Sequence, residues 1–173
     1  MLISWRSESY EPFGTDLIAE IRRLAPQSEI YVQETWSYTP WDYRFEKWGI
    51  NQKQMDDHIE SAYAAFAKRH GIKRIRMGSA VRRYRRELPV CYGEMSNKDD
   101  VCGVDKFALK NGKWCPSGDV FHLNARGEYL QALVWTAQIF DVDVTKSSYN
   151  APAMAGRTAA ADLMRRIASE VRE

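Results

Sequence analysis

What this sequence lacks already narrows its role. Its three cysteines, Cys91, Cys102 and Cys115, form an odd set with no Cys-x-x-Cys pair, which argues against a zinc site and a closed disulfide framework. They read as reduced thiols in a loop, with one bonded pair as the alternative. No apolar run approaches the ~18 to 20 residues that a membrane helix needs. The opening MLISWRSES lacks the basic-then-apolar pattern of a signal peptide. A cytoplasmic chain with no membrane partner is the default expectation. Charge of one sign is missing as well: 25 Lys+Arg against 23 Asp+Glu leave +2, so no overall field would hold the chain on nucleic acid or anionic lipid. Repeats and low-complexity segments are absent. With 173 residues, 45% of them hydrophobic, the chain reads as a single domain over 1–173 with a core of its own.

The periodicity that is present alternates between two kinds. Met1 to Ser4, MLIS, looks like the tail of a buried strand. Thr15-Asp16 precede Leu17, Ile18, Ile21 and Leu24, and Pro26 follows, which specifies an amphipathic helix. Ser28 to Gln33 carries β-formers after a turn. Asn51 caps a long helix with the stripe Met55, Ile59, Ala62, Tyr63, Phe66, ending at His70-Gly71, and Ile72 to Met77 reads as another strand. Strand, helix, strand, helix, strand predicts right-handed crossovers and a parallel sheet. Such sheets place functional residues beyond the carboxyl ends of their strands. Trp5 to Tyr10, Gln33 to Pro40, and Gly78 onward are therefore the places to look. From about residue 87 to 118 periodicity is lost, and a loop insertion over the site is expected. Leu123 to Phe140 and Ala153 to Val171 return to helical spacing.

Asp119-Val120-Phe121-His122 is the sharpest constellation. A carboxylate three residues before a histidine can accept an imidazole N–H, fix the tautomer and leave the other nitrogen as a base. Read from these residues alone, Asp119 as a helix cap and His122 as a partly buried polar side chain is the favoured account. Neither His58 nor His70, twelve apart on one helix, forms a metal pair, so no metal site is expected.

The flanking residues carry a resemblance. Asp119, His122, Leu123, Asn124, Gly127, Tyr129 and Leu130 resemble the last block of the SGNH/GDSL hydrolase superfamily. Gln33-Glu34-Thr35-Trp36-Ser37-Tyr38, Gly78-Ser79-Ala80 with Arg82 or Arg85 beyond it, Leu133-Val134-Trp135 and Tyr149-x-x-Pro152 are similar to an uncharacterised, mainly bacterial branch of it. The resemblance implies an α/β, flavodoxin-like parallel sheet flanked by helices, and an ester hydrolase in which His122 is the base and Asp119 orients it. It implies substrate contacts at Gln33, Trp36, Tyr38 and Arg82, no cofactor, and an ester of a small molecule or glycan, such as an acetylated carbohydrate, as substrate. The family's Gly-Asp/Asn-Ser nucleophile segment has no counterpart here. The chain therefore resembles the C-terminal part of the domain, and an N-terminally truncated unit with an open, self-associating sheet edge is expected. Ser4, Ser7, Ser9 and Ser79 lack the nucleophile's context, so the chain alone should be inactive.

Two rival functions stand beside this one. A scaffold without its serine could serve as a binding or assembly module. Lys73, Arg74, Arg76, Arg82, Arg83, Arg85 and Arg86 form a local basic cluster that could meet a phosphate backbone. The aromatics Trp36, Tyr38, Trp41 and Tyr43 could stack on sugars or could pack beneath their loop.

Overall fold

A computed structural model describes residues 4–40, 42–88, 99–103, 107–110, 113–116 and 121–172. The expected strand over Met1 to Ser4, Trp41 of the aromatic segment, Cys91, and Asp119 of the Asp-x-x-His block lie wholly or largely outside them.

Helices dominate an α/β arrangement. In chain order the elements are α1 (Phe13–Leu24), β1 (Tyr31–Gln33), α2 (Arg44–Trp48), α3 (Gln52–His70), β2 (Lys73–Ile75), α4 (Met77–Glu87), β3 (Phe107–Lys110), β4 (Lys113–Pro116), α5 (Ala125–Ile139) and α6 (Thr158–Glu170). The expected parallel pairing is present: β1 and β2 run parallel, Tyr31 beside Lys73 and Gln33 beside Ile75, with α3 as the crossover. Asn51 caps α3 through a capping box with Gln54, and Gly71 ends it at φ 58°, where a residue with Cβ is strained. No helix among the described residues is long and apolar enough to cross a membrane.

Three local expectations differ. Met77, expected as the last residue of a strand, opens α4, whose first turn also holds Gly78-Ser79-Ala80. The reason is its packing: Met77, Ala80, Val81 and Tyr84 recur at helical spacing and are all fully buried. Within the expected loop insertion, residues 107–110 and 113–116 pair as the antiparallel strands β3 and β4. Asn111-Gly112 is the short-range hairpin signal that accounts for it. The aromatic stretch after Gln33 contains the short helix α2, closed by Gly49 at φ 65°.

Two apolar clusters hold the domain. The larger joins α4, α5 and α6, with Tyr84, Leu130, Val134, Met164 and Ile167 at its centre; burying each such aliphatic side chain contributes roughly 1.5–3 kcal/mol. The smaller unites Phe45, Met55, Ile59 and Tyr63, with Trp5, Tyr38 and Trp48 packed against it. Of the aromatic segment, Phe45 is thus core with Tyr38 and Trp48 packed partly against it, while Tyr43 is exposed.

Candidate functional site

The chain leaves the carboxyl end of β1 through Glu34-Thr35-Trp36-Ser37-Tyr38, and this turn meets the residues that precede α5. Trp36 donates its indole N–H to the Phe121 carbonyl at 2.7 Å. The Tyr38 and Phe121 rings lie 5.5 Å apart, and Phe121 and His122 4.3 Å apart. His122 is exposed and stands two residues before Asn124, whose side chain caps α5 by accepting from the Arg126 and Gly127 N–H groups. His122 thus lies beside the loop after Gln33, and the backbone on either side of its ring is fixed there.

A second strap holds the same turn from below. Gly103 donates its N–H to the His122 carbonyl at 2.8 Å, Asn124 to that of Val101 at 3.0 Å, and Cys102 bridges Leu123 in antiparallel fashion. The strap is anchored by α4. Tyr84 donates to Asp100 at 2.6 Å, and Arg157 pairs with the same carboxylate. Arg85, 5% exposed, pairs with Asp99 at 2.7 Å. It also donates to the Ser37 carbonyl and hydroxyl, both at 3.0 Å. One buried guanidinium therefore ties together the two segments that hold His122. Burial pushes Arg85 toward losing its charge, yet Asp99 and the neighbouring acids outweigh this and hold it protonated. Burial also raises the carboxyl of Asp56, against the Ser37 hydroxyl bond and the charges of Arg85 and Arg82.

The named candidates divide. Trp36 and Tyr38 adjoin His122. Gln33 instead accepts from Trp135 at 2.6 Å and from Gln131, well along α5 from its first turn. Arg82 faces α3, where it pairs with Glu60 and Asp57; of the two arginines considered, Arg85 is the one joined to the Trp36–Tyr38 turn. Ser79 gives its hydroxyl to the buried Glu34 at 2.9 Å, and Ser37 is taken up by Arg85 and Asp56. In the basic cluster Lys73, Arg74, Arg76, Arg82, Arg83 and Arg85 each pair with a carboxylate, which divides the cluster into local ion pairs.

Sequence reading missed Asp99, Asp100 and Arg44. The two aspartates stand in a stretch without periodicity, and only their adjacency marks them. Arg44 lies 3.9 Å over the Tyr38 ring and 4.8 Å over that of Phe121. It is gripped by Asp42 through bonds of 2.8 and 2.7 Å. Although burial works against it, Arg44 holds the Asp42 carboxyl below its ordinary 3.8. A depressed carboxyl stabilises the fold above the ordinary value and loses that contribution as pH falls through the lowered one. Asp42→Asn is therefore expected to cost about 2 kcal/mol at neutral pH. In urea unfolding, the gap to the wild type should close as pH falls below 3.8. A pH-independent gap would contradict this.

No protein-family model matches the sequence, and no curated protein matches it. Its fold is similar to that of a DUF4886 family protein from Bacteroides uniformis ATCC 8492, known from a crystal structure at 1.50 Å, with a TM-score of 0.75 at 21% identity. The match covers 96% of this chain and spans 57% of that one, and what it shows is a shared fold.

Proposed function

We propose that the chain carries the base half of an ester-hydrolase site of SGNH/GDSL type on a flavodoxin-like scaffold, with Asp119 and His122 as the orienting acid and the base. The supporting observation is the placement of His122 at the carboxyl end of β1, its turn tied to Trp36 by a 2.7 Å hydrogen bond. In such a reaction a serine hydroxyl attacks the ester carbonyl while the imidazole takes its proton, then returns it to the leaving alcohol; water regenerates the serine by the same route. Trp36, Tyr38 and the Arg44 plane would form the wall beside the acyl or sugar portion. An acetylated carbohydrate suits that wall.

The 173 residues contain no Gly-Asp/Asn-Ser segment, and the hydroxyls of Ser37 and Ser79 are engaged by charged neighbours. The same observation favours a second reading, a binding module that retains the surface beside His122. Both lead to one expectation for residues 1–173 on a small chromogenic acetyl ester: background turnover, unchanged by His122→Ala. Robust turnover lost in that variant would place the nucleophile within these residues. An O-acetylated sugar should in addition move the Trp36 indole and His122 ring resonances saturably; no movement at either would overturn the substrate assignment.

A further inference from the structure

The segment that follows Ser4 faces one side of α3 across an open pocket of about 460 Å³, within the usual size of a small-molecule site. His58, Ser61, Ala62 and Ala65 recur at helical spacing and form the α3 wall. Trp5, Arg6, Ser7 and Glu8 form the other. The second wall is fixed by its own neighbours. The Tyr10 hydroxyl donates to the Ser4 carbonyl, and the Ser9 hydroxyl to that of Arg6 at 2.7 Å. Trp5 packs against both Trp48 and His58, each with its ring centroid 5.7 Å away, and the Arg6 guanidinium lies 4.6 Å over its ring.

The chemistry of the lining indicates what the pocket takes. Among the described residues, the side chains of Arg6, Ser7, Glu8, His58 and Ser61 make no hydrogen bond or ion pair, and all five are exposed. They supply guanidinium and imidazole N–H donors, carboxylate acceptors and two hydroxyls able to do either. Trp5, Ala62 and Ala65 supply an apolar floor. That combination matches a sugar ring, whose hydroxyls donate and accept around an apolar C–H face. An anion fits less well, because Arg6 would attract it while Glu8, two residues along the same wall, repels it. A wholly apolar ligand would strip water from polar groups and bond none of them. Tyr38, part of the wall beside His122, lies 5.8 Å from Trp48, so one row of rings runs from that wall to Trp5.

We propose that this pocket binds a sugar ring, at a place separate from the surface beside His122. Binding there requires no nucleophile, so it does not depend on the hydrolase reading.

The probes are the methyl β-glycosides of glucose, galactose and N-acetylglucosamine, none of them an O-acetyl ester. Titrated into isotope-labelled residues 1–173 at millimolar concentration, at least one should shift the Trp5 indole and His58 ring resonances saturably. Glu8→Ala should weaken that binding about tenfold or more, through loss of a charged hydrogen bond. Ser61→Leu should abolish it by filling the pocket, with circular dichroism unchanged because Ser61 is exposed. No shift with any of the three, or shifts with inorganic phosphate alone, would overturn the proposal. So would sugar binding indifferent to either variant, or shifts confined to Trp36 and His122.

Discussion

Gly78→Ala is expected to destabilise the domain by about 3 kcal/mol or more, because a methyl group there has nowhere to go. A Cβ on Gly78 would stand 2.0 Å from the Thr35 carbonyl oxygen and 3.4 Å from the Glu34 Cβ. The obstacle is backbone, so no side-chain rotation relieves it. Either α4 retreats from the carboxyl end of β1, or the Trp36–Tyr38 turn moves away from Phe121. In the first case Ser79 loses Glu34, which accepts from both its N–H and its hydroxyl. Gly71→Asn serves as the control. That position needs a left-handed backbone at φ 58° but has open space around it, and asparagine tolerates the conformation. Chemical denaturation should show a large loss for the first variant and a small one for the second. Equal losses would mean that the contact between α4 and the Thr35 turn does not govern this region.

Arg85→Met should cost about 3–5 kcal/mol, the usual penalty for removing one partner of a buried ion pair. Asp99, 8% exposed, would be left with a buried charge and, among the described residues, the Val101 and Cys102 N–H groups as partners. Ser37 would lose the donor to its carbonyl and hydroxyl. Adding Asp99→Leu should recover part of the loss, since the unpaired charge goes with it. Recovery stays partial because Asp99 also holds the 99–103 strap. The corresponding Arg82→Met should cost about 1 kcal/mol or less, as its ion pairs with α3 are partly solvated. A reversed ranking in urea titrations would contradict the assignment of Arg85 as the tie between the two segments.

The contrast between these arginines shows how far the sequence could be read. Arg82 and Arg85 follow the same Gly-Ser-Ala segment three residues apart, and nothing local distinguishes them. What separates them is the angle at which α4 packs, with Arg85 turned toward Ser37 and Asp99 and Arg82 toward Glu60. The helical stripes of α3, α5 and α6 were legible because a buried face repeats with the helical period. The capping box at Asn51 and the left-handed Gly71 were legible because each is a local chemical requirement. The parallel β1–β2 pair followed from the alternation of elements. The start of α4 was not, since Ile72 to Met77 fits a strand until Val81 and Tyr84 are seen to be buried with Met77. The aromatic segment illustrates the same limit: Tyr38, Phe45 and Trp48 close a core that only the tertiary fold brings together, with α3 beneath them. For the candidate site, His122 and Trp36 were legible as neighbours, whereas Asp99 and Asp100 gain their role from partners on α4 and beyond.

The central claim is that His122 is an oriented base. Long-range proton–nitrogen correlation of its imidazole, in the wild type and in Asp119→Ala, tests it most directly. With Asp119 accepting from Nδ1–H, the wild-type ring is expected in a single neutral tautomer, proton on Nδ1 and lone pair on Nε2, and the variant as a mixture of both. A mixture already present in the wild type, or a ring indifferent to Asp119→Ala, would contradict the account.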